Sequence, residues 1–204
     1  MKLQNVRLNI LLVLSFCFVY ALTRYVILGP VSAVEIPVYI INKAVAWSAV
    51  TLLFLSIFAT SKNLTNTARE YGTFAFWNIV CHALLTLSIL NNFHYAKLFD
   101  EGKLNLFGQL SVLSGVLVMF LFMYYHYHFS NANNFTTVLK RITKVKIILI
   151  IILAHLFFLG SKGWITPEKW HGYLPPITLI SFIIVLAALF YTYEWKWASN
   201  RQGR

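Results

Sequence analysis

Acidic residues are scarce in this sequence, and none lies inside an apolar run. There are six: Glu35, Glu70, Asp100, Glu101, Glu168 and Glu194. All fall in loops or at the ends of apolar segments. Ion-coupled transporters and proton relays place carboxylates at membrane depth, so a proton or cation pathway is not expected. A Ser-His-Asp site or a paired-carboxylate hydrolase would lack its acids. Charge of either sign is thin at 11% of residues, against about 25% in a soluble domain. Only two cysteines occur, Cys17 and Cys81, both in apolar runs. Neither belongs to a C-x-x-C or C-x-x-C-H pattern, which removes covalent c-type haem, zinc and thioredoxin-like chemistry. No Gly-rich phosphate loop, internal repeat or low-complexity tract is present.

What remains is apolar. Hydrophobic residues make up 59% of the 204 positions, and a bilayer-spanning helix needs roughly 20 of them in a row. Six segments qualify, at about 8–28, 38–60, 73–92, 106–129, 145–161 and 173–195. The first follows Lys2 and Arg7 as a signal peptide would, and is read as a first transmembrane helix. The expected fold is an all-α membrane protein, one six-helix transmembrane domain over 1–204. Lys43 interrupts the second span near its start and is expected to snorkel to the surface. The Asn-rich 130–137 reads as an exposed turn, and the sequons at Asn63 and Asn134 carry little weight.

The net charge of +11 does not point to nucleic acid, because the basic residues sit in short loops where charge sets orientation. With the N-terminus inside, Lys2, Arg7, Lys62, Arg69, Lys140, Arg141, Lys144, Lys146, Lys196, Arg201 and Arg204 face inward. Arg24, Lys43, Lys97, Lys103, Lys162 and Lys169 face outward. That is 11 against 6, with KRITKVK (140–146) the strongest vote, so both termini are expected to be cytoplasmic. The expected location is a bacterial inner (plasma) membrane.

Two of the six histidines, His82 and His155, lie deep in spans. His82 is nine residues past Thr73 and His155 ten past Val145. At 1.5 Å per residue both rings sit roughly 14–15 Å from the inner edge, close to mid-membrane. Two imidazoles at one depth can hold a haem iron from opposite sides, with the porphyrin edge-on between helices. The stripe through His82 is Ala75, Asn78, Ile79, Thr86 and Ile89. The stripe through His155 is Ile148, Ile151, Ile152, Phe158 and Leu159. These walls would exclude water and help set a haem potential. The competing reading is that each histidine simply hydrogen-bonds a neighbouring helix. His94 and His171, near the outer surface, are candidates for a second haem, or for a place near a haem propionate or a quinol headgroup. MYYHYHF (123–129) reads as an aromatic belt, with a quinone pocket as the functional alternative. Trp164, Trp170, Trp195 and Trp197 read as interfacial anchors. Gly115 is the one mid-span glycine that a transporter break could use, and a close helix contact explains it better.

The stretch AREYGTFAFWNIVCHALLTL (68–87) resembles helix 3 of the ferric-reductase-like transmembrane domain family, in particular its MsrQ-type haem-binding membrane subunits. In that family an Arg and a Gly precede an aromatic-rich turn, and a haem-ligand His follows. Arg69, Gly72, Phe76, Trp77 and His82 occupy those positions. IILIIILAHLFFLGSKGW (147–164) is similar to the family's second ligand helix, with His155 at the ligand position. The resemblance spans roughly 40–165. It implies a b-type cytochrome with six spans and haem b as cofactor. His82 and His155 are its expected axial ligands, and Arg69, Asn78 and Thr86 are candidate cofactor contacts. It departs where a further histidine commonly opens helix 5, since Thr143 stands near that place. The flavin and nicotinamide domains of NADPH-oxidase-like members are not in these 204 residues. The chain is therefore expected to take electrons from quinol or a separate flavoprotein and pass them to a partner or acceptor outside. The alternative function is a haem-free accessory subunit of a larger membrane complex.

Overall fold

A computed structural model describes the backbone of residues 3–129 and 135–202. Side chains at 3–4, 126, 128–144 and 194–202 lie outside that description, so the aromatic-belt histidines His126 and His128, Trp195 and Trp197, and the charges of Lys140, Arg141 and Lys144, do too. The turn at 130–134 is likewise outside it.

Six long helices form the chain: α1 (Leu3–Leu22), α2 (Ile41–Ser61), α3 (Thr65–Ile89), α4 (Leu106–Phe129), α5 (Phe135–Gly160) and α6 (Ile177–Gln202). All six are long and apolar enough to cross a membrane. The protein is an all-α bundle whose apolar outer faces suit a lipid bilayer. Six crossings bring both termini to one end, here named the terminal end. The loops at 28–40, 90–105 and 161–176 make the other, the loop end.

Several boundaries differ from those that hydropathy suggests. α3 starts at Thr65 and α5 at Phe135, respectively eight and ten residues before the expected edges. KRITKVK is thus helix, not loop. Hydropathy marks where apolar side chains begin, whereas a helix continues as long as its backbone hydrogen bonds do. The second span also begins early. A 3₁₀ turn at Ala33–Glu35 and a wide π turn at Ile36–Ile40 lead into α2. Pro37 fits there, in the first turn, where its missing N–H costs nothing. Pro175 and Pro176 precede α6 in the same way, and the Pro176 carbonyl accepts from Leu179 N at 2.9 Å.

Two tight turns depend on left-handed backbone. Asn63 (φ 58°) closes the α2–α3 corner, a conformation that asparagine tolerates better than most residues. Between α3 and α4 lies a two-stranded hairpin, β1 (Phe99–Asp100) and β2 (Lys103–Leu104), with Asp100 opposite Lys103. Its two-residue turn, Glu101 and Gly102, has positive φ at both positions, which is the geometry such short loops prefer. The sequence reading contained no strand.

α2 is the central helix, packed on α1, α3 and α6. The main core gathers Ile10, Leu52, Ile57, Leu149, Ile152 and Val185. Polar side chains tie α2 to α3 at three levels. Near the terminal end, Ser56 Oγ donates to the Ala68 carbonyl at 2.7 Å. In the middle, Asn78 Nδ2 donates to Ser48 Oγ at 3.0 Å. Toward the loop end, Asn42 meets His82 and Thr86. Between helices in lipid, where apolar burial offers little drive, such bonds and small-residue contacts hold a pair together.

Candidate functional site

His82 and His155 line the same cavity, of about 200 Å³, bordered by α2 to α6, the α3–α4 connection and Tyr25. The two rings arrive there from separately braced helix pairs. His82 sits on α3 and is braced by α2. Its Nδ1 lies 2.5 Å from Asn42 Oδ1. The Asn42 amide nitrogen is turned the other way, donating to Tyr95 Oη and Thr86 Oγ1, each at 3.1 Å. The amide oxygen therefore faces the ring, and His82 Nδ1 carries the proton. Asn42 is fully buried, so its four polar valences are all spent inside the protein.

His155 sits on α5 and is braced by α4. Its Nδ1 is 2.8 Å from the Ser111 carbonyl oxygen. A backbone carbonyl only accepts, so this Nδ1 also carries the proton. The Nδ1–Cε1 edge of the ring lies against α4 at Gly115. A Cβ there would stand 3.1 Å from both Cε1 and Nδ1 of His155. The close helix contact expected of Gly115 is thus a contact with the imidazole itself.

Each ring is fixed through Nδ1, which leaves Nε2 with the lone pair. Neither Nε2 has a hydrogen-bond partner among the described residues. An N–H held by a carbonyl oxygen, with the opposite nitrogen bare, is the arrangement found around metal-binding histidines.

The donor set decides what kind of metal group the residues could hold. Among the described residues no three His, Cys, Asp or Glu side chains converge. A bare ion would find only two protein ligands, too few for a closed site. A planar macrocycle that brings four nitrogens needs only the two axial ones. The other walls suit a flat apolar body: Ala46 and Ala49 on α2, Ile79 and Ala83 on α3, and Ile152 on α5. By donor chemistry, two bare imidazole nitrogens on one apolar-walled cavity, the residues fit a haem.

Along their helices both rings lie nearer the loop end than the terminal end. His82 is seven residues before the end of α3 and His155 five before the end of α5, about 10 Å and 7–8 Å along their helices. Both rings thus stand at similar distances from the loop-end termini of their helices, and the added turns of α5 lie outside its apolar span, Val145–Gly163, near whose centre His155 sits.

The other expected contacts separate. Thr86 lines the cavity and lies 3.3 Å from His82 Nδ1. Asn78 does not line it and is occupied with Ser48. Arg69 is exposed, 13 residues before His82 and about 20 Å away along α3. His94 lies off the cavity with both ring nitrogens engaged, Nε2 with Glu35 at 2.9 Å and Nδ1 with Asn91 at 3.1 Å. It also stacks on Tyr39. His171 packs edge-on against Tyr25 and does not line the cavity. The described aromatic residues of 123–129 do not line it either.

Lys43 corrects the sequence reading most sharply. It does not reach for the surface. It lines the cavity, with Nζ 4.8 Å from the centre of the Tyr39 ring and 4.7 Å from that of Tyr95. Asn42, Ser111 and Tyr95 were also missed. Asn42 and Lys43 carried a signal, two adjacent polar residues inside an apolar run. Ser111 acts through its backbone carbonyl, which no side-chain pattern reveals.

The cavity is not sealed. Leu87 on α3 and Val116 on α4 line it, yet they are 67% and 40% exposed on the lipid-facing side. A seam between α3 and α4 therefore opens the cavity sideways toward the bilayer. No model of a known protein family matches this chain, and no curated protein matches it.

Proposed function

We propose that the chain is a membrane electron-transfer subunit of the b-type cytochrome kind, holding one haem b between His82 and His155. The observation that carries this reading is the pair of bare Nε2 atoms on one apolar cavity, each ring oriented by an Nδ1–H bond to a neighbouring helix. The haem supplies reversible one-electron storage. The protein's part is to orient two neutral imidazoles, to raise their basicity through the Asn42 and Ser111 oxygens, and to exclude water. Its likeness to the ferric-reductase-like family rests on the residues around His82 and His155. Both termini are cytoplasmic in this reading, by the excess of Lys and Arg at the terminal end, and the membrane is a bacterial inner membrane.

The position of the rings along their helices bears on the electron route. The loop end, outward in this orientation, is close to the site, which suits delivery to a partner or acceptor outside. The terminal end is some 25 Å of helix away from His82. Quinol arriving through the α3–α4 seam is therefore a better donor than a cytosolic flavoprotein.

The test is an absorption spectrum with a pyridine haemochrome assay on protein from a haem-replete host. A Soret band, lost in His82→Ala and in His155→Ala, is expected. Wild-type protein without haem would overturn the reading. A second reading, a haem-free accessory subunit, is favoured by one observation: the two Nδ1–H bonds alone already tie α2 to α3 and α4 to α5. Haem-free co-purification with a larger membrane assembly would support it.

A further inference from the structure

Among the residues lining the cavity, one carries a full charge. Lys43 projects into it from α2, and no carboxylate lies within ion-pair distance of Lys43 among the described residues. Glu35, at the same end of the bundle, is engaged by His94. An ammonium has three N–H donors. The Tyr39 and Tyr95 ring faces attract the cation but offer no anion to neutralise it. Removing an ammonium from water is costly unless a counter-charge joins it. An apolar cavity with one cation at its edge is complementary to an apolar body that ends in an acid.

We propose that Lys43 is the carboxylate-binding residue of this cavity, holding the acidic side chain of the apolar ligand whose metal the two imidazoles would take. It rests on the haem reading given above and adds the group that fixes which way round the ligand sits. The acidic edge then points to the loop end, where Lys43 and the tyrosines lie, and the apolar edge toward the α3–α4 seam and the bundle interior. The tyrosine faces already hold Nζ in place beside this cavity-lining position, so little side-chain ordering remains for binding.

The experiment compares zinc protoporphyrin IX with its dimethyl ester, which has the same ring and metal and no free acid. Both are titrated by fluorescence into full-length haem-free protein in detergent. The wild type is expected to bind the diacid about tenfold or more tightly than the diester, the size of one charge-assisted hydrogen bond. In Lys43→Met that preference is expected to fall to about twofold or less with diester affinity unchanged. Lys43→Arg keeps the preference, which separates charge from folding. His155→Ala is expected to weaken both probes alike and leave their ratio intact. A wild type without preference, or a Lys43→Met protein that keeps it, would overturn the proposal. Should the wild type take up neither porphyrin, the haem reading fails separately. The subsite is then judged with cis-parinaric acid against its methyl ester. A preference for the acid that Lys43→Met abolishes supports it, and equal binding overturns it.

Discussion

Gly115→Ala should damage the protein even though alanine is the better helix former. An alanine in a helix interior gains about 1 kcal/mol over glycine. Against that stands the His155 ring. The new methyl would lie 3.1 Å from ring atoms Cε1 and Nδ1, well inside the roughly 3.5–4.0 Å optimum for carbon contacts. The ring cannot recoil freely, because its Nδ1 is held at 2.8 Å by the Ser111 carbonyl, one turn earlier on the same helix. Moving it by half an ångström stretches that bond beyond about 3.2 Å, the usual limit for N–H···O. Overpacking costs about 1–3 kcal/mol, and the weakened bond adds up to about 1 kcal/mol. The net expectation is a loss of roughly 1–2 kcal/mol after the propensity gain. Gly72→Ala is the internal control. There a Cβ meets only the Ser56 hydroxyl, at 3.2 Å, so most of the propensity gain should survive. Thermal unfolding in detergent, monitored by far-ultraviolet circular dichroism, reads both. Haem content per chain reads whether the ring has turned. If Gly115→Ala is stabilised as much as Gly72→Ala, with haem content unchanged, the placement of His155 against α4 is wrong.

Four further outcomes test other contacts. Asn42→Ala strips His82 of its amide acceptor and removes the amide donor to Tyr95 and Thr86, so stability should fall by about 1–3 kcal/mol and haem affinity about 10–100-fold. Ser111→Ala should be nearly silent by both measures, because His155 bonds the backbone carbonyl at 2.8 Å and the hydroxyl stands 3.5 Å away. Arg24→Met should raise the unfolding temperature. Arg24 is 4% exposed, and its Nε and Nη1 have no partner among the described residues; removing such donors relieves a cost of about 1–3 kcal/mol. His94→Ala should leave haem content unaltered, since the ring lies off the cavity with Glu35 and Asn91, and a fall by half would favour a second haem there.

The two histidines were legible in the sequence because an ionisable ring inside an apolar run demands a partner. Their shared depth was legible because helical rise is constant. The number of helices followed from the apolar runs for the same reason. Lys43 was misread through its distance from the span edge. The span edge was set at residue 38, whereas helical structure starts at Ala33, so Lys43 lies ten residues inside it. Asn42 went unread because an amide announces no chemistry until its neighbours are known. The hairpin at 99–104 went unread because two residues per strand leave no alternation to detect.

The seam beside Leu87 and Val116 bears on how such a protein would be assembled. A hydrophobic guest can dissolve in the lipid first and then find the bundle by diffusing in two dimensions, where local concentration is high. Loading would then need neither an unfolded chain nor a chaperone at the ribosome. An empty bundle already embedded in a vesicle would be a competent receiver, and the order of manufacture, chain first and pigment second, would be free.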